Sequence, residues 1–133
     1  MTADDRRPLV LVCDDEPVLR ELIRVSLGAG YRYAEAGSVT DAIASYREVE
    51  PDLVVLDLML VGGSGLDVLR AIRRGDRAPR TPVVVVSAWS DEANRQAVEE
   101  EGADLFLPKP FAPEQLVDWV EGLVGSKKRA GDA

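Results

Sequence analysis

Carboxylate side chains follow two short apolar runs of the chain. Asp14 and Asp15 come directly after Leu9–Cys13, and Asp57 comes directly after Leu53–Leu56. If the two runs are neighbouring strands, these carboxylates meet in a small volume, where their mutual repulsion raises at least one pKa. A cation relieves that repulsion, and oxygen ligands suit Mg²⁺, which takes one or two carboxylates together with phosphate oxygens. The alternative is structural: Asp14 and Asp15 cap the following helix, and Asp57 faces solvent in a loop.

A hydroxyl and an ammonium group follow two later apolar runs. Ser87 comes directly after the valines at 83–86, and Lys109 comes shortly after 105–107. Together with the carboxylates, these groups suit transfer of a phosphoryl group onto Asp57. An aspartate nucleophile is already ionised at neutral pH, so it needs no general base, in agreement with a chain that contains no His. Mg²⁺, Lys109 and the hydroxyl would neutralise the charge of the transferring group. Taken singly, Ser87 and Lys109 are more typical of a turn residue and a solvated charge.

The apolar runs predict five strands that position these residues. The first, third and fourth, Leu9–Cys13, Leu53–Leu56 and 83–86, are rich in Val and Leu, as strands buried on both faces are. The weaker second and fifth strands are 31–36 and 105–107. Strands that alternate with helices form right-handed crossovers, and hence a doubly wound α/β fold with a parallel sheet. Ligands of such sheets bind outside the carboxyl ends of the strands, where the polar residues lie.

Helix start signals occur after each predicted strand. Proline is favoured at the first helical position, and a serine followed three residues later by an acidic residue is typical of a capped N-terminus. Five helices are predicted to begin near Pro17, Ser38, Gly65, Ser90 and Pro113.

Length and composition narrow the class of protein. The chain has 133 residues, which suits one domain; we place it at 1–125, with 126–133 as a polar tail or linker. The net charge of −8 argues against direct nucleic-acid binding. The single Cys13 forms no internal disulfide. The N-terminus lacks the basic region of a signal peptide, and no apolar run reaches the roughly 18 residues of a membrane span. We expect a soluble cytoplasmic protein that does not contact a membrane.

Several motifs in order resemble the receiver domain of two-component response regulators. They are VCDDEP at 12–17, VVLDLML followed by Gly65 within 54–65, VVVVSA at 83–88 and GADLFLPKPF at 102–111. The resemblance covers essentially residues 8–125. It implies a flavodoxin-like fold, in which a five-stranded parallel sheet of order 2-1-3-4-5 is covered by five helices.

The resemblance also implies a role for each residue of the predicted site. Asp57 would be the phospho-acceptor. Mg²⁺ would be held by Asp14, Asp15 and Asp57, with Asp14 binding through water, and by the backbone carbonyl of Met59. Lys109 would pair with the phosphoryl group.

A conformational switch is implied as well. Ser87 would move to hydrogen-bond the new phosphoryl oxygens, and Phe106 would change rotamer with it and reshape the face of the fourth helix, fifth strand and fifth helix. The peptide bond between Lys109 and Pro110 would be cis. Phosphorylation adds roughly −1.5 to −2 charges and strong acceptors, which gives this switch its physical basis.

The function that follows is a phosphorelay receiver. Its partners would be a sensor histidine kinase or a histidine phosphotransfer protein, and a downstream protein target or effector domain. The face of the fourth helix, fifth strand and fifth helix also allows a homodimer. The protein would not be an enzyme, because it catalyses only its own Mg²⁺-dependent phosphorylation and dephosphorylation.

Two alternatives to this function stay open. The chain is a receiver fragment of a longer transcriptional regulator, or it is a phosphatase of the haloacid dehalogenase type. Such phosphatases need a second Asp two positions after the nucleophile, where this chain has Met59.

The chain departs from the family pattern at two places. The glycine-rich stretch 61–65 predicts a mobile loop over the acceptor. The stretch 115–121 lacks the basic residue that winged-helix DNA-binding relatives use in their dimer.

Overall fold

One sheet contains five parallel strands: β1 (Leu9–Cys13), β2 (Arg32–Ala36), β3 (Leu53–Leu56), β6 (Val83–Ser87) and β7 (Leu105–Pro108). Their spatial order is β2-β1-β3-β6-β7. The computed structural model describes residues 5–75 and 80–132. Because two further strands lie in a small separate hairpin, the fourth and fifth strands of the main sheet are β6 and β7. The predicted doubly wound, flavodoxin-like order is confirmed.

The helices begin within two residues of the predicted starts. Ser38 caps the second helix as predicted, by accepting a hydrogen bond from the backbone N–H of Asp41. The third helix is capped by Ser64, which was not predicted, and the fourth begins at Glu92 with Asp91 rather than Ser90 as its cap. The helices are α1 (Pro17–Leu27), α2 (Val39–Val49), α3 (Gly65–Arg74), α4 (Glu92–Glu100) and α5 (Pro113–Asp132). Among the described residues, no helix combines the length and the apolar character needed to cross a lipid bilayer.

Helix α5 extends further than the sequence signals indicate. The stretch 126–132, predicted as a polar tail, continues this helix to Asp132. Lys, Arg and Ala, which make up 127–130, are strong helix formers, so the residues that follow Gly125 and Ser126 favour continuation of the helix. A role of this segment as a linker stays a prediction.

The sheet separates two apolar layers. On one face, side chains of α2, α3 and α4 pack on alternate residues of the strands, and on the other face α1 and α5 do so. Leu11 faces the first layer and Val10 the second, and both are fully buried. Each such Leu or Val contributes roughly 1.5–3 kcal/mol by leaving water. The strands buried on both faces therefore form the rigid base on which the polar loops rest.

A short antiparallel hairpin follows β3 and was not predicted. Its strands are β4 (Met59–Leu60) and β5 (Gly63–Ser64). Val61, at its turn, is bonded through its backbone to Gly37 and Val39 at 3.3 and 3.0 Å. Two-residue strands leave no period to detect in a sequence. The predicted mobile loop is therefore tied at its tip to the segment between β2 and α2.

Candidate functional site

Two buried carboxylates and one ammonium group meet at the carboxyl end of the sheet. Lys109 Nζ donates to Asp14 Oδ2 and to Asp57 Oδ2, each at 2.9 Å. The two aspartates are only 2% and 3% exposed. The convergence predicted from the strand ends is thus present, and the alternative of a solvent-facing Asp57 is wrong because its side chain is buried beside Lys109.

Strand register brings the two aspartates together. Cys13 is paired with Leu56 across β1 and β3, and the backbone N–H of Asp57 donates to the Cys13 carbonyl at 2.9 Å. Each aspartate thus follows the last paired residue of its own strand. The central strands β1 and β3, which are almost entirely buried, set the distance between them.

Gly65 allows α3 to start against the backbone of Asp57. A Cβ at position 65 would overlap the Asp57 carbonyl oxygen and lie 2.9 Å from Leu58 Cα. The Gly65 N–H donates to the Leu58 carbonyl at 2.8 Å. On the other side, the Met59 N–H donates to Asp57 Oδ1 at 3.1 Å. Both sides of the Asp57 loop are therefore held by the backbone.

The acidic loop after β1 presents a set of oxygen ligands. Carboxylate oxygens of Asp14, Asp15 and Glu16 lie within 4.8 Å of one another. The Glu16 N–H also donates to Asp14 Oδ1 at 2.9 Å, while Asp15 is exposed. This cluster can bind a metal ion, and an all-oxygen donor set fits a hard cation such as Mg²⁺. Glu16 was not predicted as a candidate ligand, although its place next to Asp15 was visible in the sequence.

Burial and charge act on the site in opposite directions. Burial raises the pKa of the Asp14 carboxyl, and the neighbouring Asp57 charge adds to this, against the Glu16 N–H and Lys109. Burial lowers the pKa of Lys109, but the hydrogen bonds and charges of Asp57 and Asp14 together outweigh it and raise that pKa. Lys109 is therefore firmly ionised, and Asp14 carries a charge that its surroundings disfavour.

Ser87 lies at the end of β6 with its hydroxyl engaged locally. Its side chain is fully buried, and its Oγ accepts a hydrogen bond from the Trp89 N–H at 3.1 Å. The Lys109 N–H donates to the Ser87 carbonyl at 3.0 Å, so the strand ends carrying the two residues are adjacent. Trp89 and Met59 are 46% and 41% exposed.

Phe106 lies on β7 under a charged group of α4. The Arg95 guanidinium carbon is 5.1 Å from the centre of its ring, within the range of a cation–π contact. Phe106 is half-buried and packs against the layer that contains α4. The Lys109–Pro110 peptide is cis, as the resemblance implies.

Comparison with known proteins defines the class. Residues 10–121 match the family model described as the response regulator receiver domain. The chain belongs to this family and is a receiver domain of two-component response regulators.

Particular relatives make the likeness concrete. The DNA-binding response regulator MtrA of Mycolicibacterium smegmatis is 40% identical over 115 residues, 86% of this chain and 49% of MtrA. The phosphate regulon transcriptional regulatory protein PhoB of Pseudomonas aeruginosa is 38% identical over 109 residues, 81% of this chain and 48% of PhoB. The chain thus spans about half the length of these curated relatives.

A solved structure agrees in fold over nearly the whole chain. The signal receiver domain of a putative Luxo repressor protein from Vibrio parahaemolyticus superimposes with a TM-score of 0.87 at 28% identity, covering 94% of this chain and 95% of that one.

Proposed function

We infer that Asp57 accepts a phosphoryl group from a phosphohistidine of a partner protein. The observation that carries this is the position of Lys109 Nζ, 2.9 Å from a carboxylate oxygen of both Asp57 and Asp14. A cation so placed stabilises the negative charge that a transferring phosphoryl group brings to the site.

The reaction balances without a catalytic base in this chain. An Asp57 carboxylate oxygen attacks phosphorus, a P–O bond forms, the P–N bond to the partner's imidazole breaks, and the electron pair returns to that nitrogen. The product is an acyl phosphate on Asp57 and a free histidine on the partner. An aspartate nucleophile ordinarily needs no general base, so Lys109 has only to neutralise charge.

Asp14, Asp15 and Asp57, with the Met59 carbonyl, would hold Mg²⁺. The Asp14–Glu16 cluster lies beside the buried Asp57, and all side-chain donors are oxygens. When bound, Mg²⁺ supplies positive charge against the phosphoryl oxygens. Glu16 is an additional candidate near this site.

The switch would use the contacts that Ser87 and Phe106 now make. To reach phosphoryl oxygens, the Ser87 hydroxyl gives up the Trp89 N–H, which is a local hydrogen bond worth roughly 1 kcal/mol. Phe106 turns away from Arg95 into the space that Ser87 leaves. Both movements alter the face formed by α4, β7 and α5, which would bind the downstream target or a second copy.

The phosphodonor would be a sensor histidine kinase or a histidine phosphotransfer protein. Helix α1 begins beside the acidic loop and exposes Val18, Leu22 and Val25, which are 74%, 40% and 72% accessible. Their spacing places them along one side of the helix. Such an apolar stripe beside the acceptor suits a protein donor.

The protein would act in the cytoplasm and catalyse only its own phosphorylation and dephosphorylation. Its receiver domain would occupy 1–125. The relatives MtrA and PhoB are about twice as long as the part that matches this chain, and the alternative of a receiver within a longer regulator stays a proposal. The lack of direct nucleic-acid contact is a proposal for this chain alone.

Mass spectrometry of the intact protein tests the acceptor. Wild type, Asp57→Asn and, as a control, Asp118→Asn on the exposed side of α5 are incubated with Mg²⁺ and a small acyl-phosphate donor. We expect one phosphoryl group on wild type and Asp118→Asn and none on Asp57→Asn. An adduct on Asp57→Asn at the wild-type level, or none on any of the three proteins, contradicts the proposal.

A further inference from the structure

Arg20 of α1 contacts the backbone of the acidic loop that follows β1. Its Nη1 donates to the backbone carbonyl of Asp14 at 2.6 Å, and its Nε donates to Glu35 Oε1 at 3.0 Å. The Arg20 side chain is only 19% exposed. A guanidinium is a planar fork whose donors satisfy two acceptors at once, so Arg20 ties the loop after β1 to the end of β2.

The absence of a side chain at Gly37 makes room for this arrangement. A Cβ there would lie 3.2 Å from Arg20 Nη1 and 3.9 Å from Asp15 Cα. That first distance is closer than ordinary van der Waals contact, so a side chain at 37 would push the guanidinium or the loop aside. Gly37 directly follows β2, whose residue Glu35 takes the other donor of Arg20.

The carbonyl that Arg20 holds belongs to the peptide joining the two predicted ligands. A peptide is planar, so fixing the Asp14 oxygen also fixes the orientation of the Asp15 N–H and the direction in which Asp15 leaves the plane. The guanidinium also adds positive charge close to a loop that carries Asp14, Asp15 and Glu16, which reduces the repulsion among them.

We propose that Arg20 is a positioning residue for the cation: it holds the Asp14–Asp15 peptide so that both carboxylates face the metal. This rests on the proposed function only in taking these residues as the Mg²⁺ site. Partners that orient metal ligands typically contribute 10- to 100-fold in affinity. The role therefore concerns metal affinity rather than the fold alone.

Arg24 provides a matched control on the same helix. Its Nε lies 3.3 Å from Glu35 Oε2, and within the described residues its side chain makes no hydrogen bond to the acidic loop. Arg20→Gln and Arg24→Gln therefore each remove one positive charge and one partner of Glu35. Only the first removes the bond to the Asp14 carbonyl.

The test is titration calorimetry with Mg²⁺ alone, without any phosphodonor. Wild type, Arg20→Gln, Arg20→Lys and Arg24→Gln are compared, and thermal unfolding in EDTA reports the fold of each. We expect Arg20→Gln to weaken Mg²⁺ binding by about tenfold. Arg20→Lys should lie between it and wild type, because one ammonium cannot serve both acceptors as well. Arg24→Gln should stay within about twofold of wild type.

Several results would overturn the proposal. One is an equal loss of Mg²⁺ affinity in Arg20→Gln and Arg24→Gln, and another is an unchanged Mg²⁺ affinity in a folded Arg20→Gln. If Arg20→Gln does not fold, an unchanged Mg²⁺ affinity in Arg20→Lys overturns the proposal instead. The absence of Mg²⁺ binding by wild type overturns it as well. Wild type that binds Mg²⁺ but accepts no phosphoryl group contradicts the proposed function and leaves the role of Arg20 standing.

Discussion

The two ends of the parallel sheet both hold ionised side chains, but they balance charge in opposite ways. At the amino end, Asp104 lies between two guanidinium groups, those of Arg73 and Arg80, at 3.1 and 2.6 Å. At the carboxyl end, the single ammonium of Lys109 lies between Asp14 and Asp57. One end has a carboxylate with more cations than it needs, and the other has more carboxylates than its cation can neutralise.

At the amino end, the charged side chains connect neighbouring elements through hydrogen bonds and ion pairs. Asp104 also accepts a hydrogen bond from the Val83 N–H at 2.8 Å, and so fixes the start of β6. Arg73 donates further to the carbonyls of Thr81 and Gly102 at 2.7 and 2.9 Å. Among the residues that the structure describes, these bonds join α3, β6 and the segment before β7.

At the carboxyl end, the carboxylates outnumber the cationic side chain, so a bound cation can neutralise the remaining negative charge. Asp14 and Asp57 are as buried as the core, and the exposed Asp15 and Glu16 add further negative charge nearby. Buried charges that are incompletely paired cost free energy. We therefore expect the charged groups at the carboxyl end to cost folding free energy and those at the amino end to stabilise the fold.

The largest effect is expected at the amino end. Asp104→Ala leaves Arg73 and the Val83 N–H without their shared acceptor, and should lower the free energy of unfolding by about 3 kcal/mol. Urea unfolding measures this, with Asp118→Ala on the exposed side of α5 as the control, expected within about 0.5 kcal/mol of wild type. Phosphoryl acceptance per folded molecule should not change. A loss of acceptance in folded Asp104→Ala would show that the two ends are not independent.

A smaller effect of the same sign is expected from Lys109→Met. This change leaves Asp14 and Asp57 facing each other without a cation, and should lower the free energy of unfolding by about 2 kcal/mol in EDTA. Added Mg²⁺ should narrow the difference in unfolding free energy between Lys109→Met and wild type. A bound cation stabilises the folded state, and in the variant it also takes over the charge balance that Lys109 provides. Urea unfolding with EDTA and with Mg²⁺ measures both values. If the loss is the same in the two conditions, Lys109 and the cation do not share one charge-balancing role.

The strands and helix starts were predictable because their signals are local. Val-rich runs, the cap at Ser38 and the proline at the first position of α1, Pro17, act within a few residues, and the structure places β1 and β3 at the predicted bounds. The grouping of Asp14, Asp57 and Lys109 was also predictable, since all three follow parallel strands whose carboxyl ends share one edge.

The supporting contacts were not predictable in this way. Arg73 and Asp104 are 31 positions apart, and Arg20 and Glu35 are 15 apart; no local pattern marks such pairs. Whether an arginine contacts solvent or a loop depends on how helices pack on the sheet. The need for glycine at position 65 is likewise visible only when α3 lies against the Asp57 backbone.

The smallest effect has the opposite sign and tests the comparison most directly. Burial, with Asp57 beside it, raises the pKa of Asp14 above its ordinary value of 3.8. A carboxyl with a raised folded-state pKa stabilises the fold below its unfolded pKa, and that stabilisation is lost as the pH rises through the folded value. At neutral pH the charge is therefore unfavourable, and Asp14→Asn should raise the free energy of unfolding by about 1 kcal/mol in EDTA.

Mg²⁺ should reverse the order of these two proteins. The cation stabilises wild type more than Asp14→Asn, because the variant has lost a carboxylate near the metal. Urea unfolding at neutral pH and at successively lower pH measures the sign. The advantage of Asp14→Asn should shrink as the pH falls, because protonation removes the unfavourable charge of wild-type Asp14. A variant that is less stable than wild type in EDTA at neutral pH would mean that Lys109 balances both aspartates, and that the two ends of the sheet do not differ in the way their charges suggest.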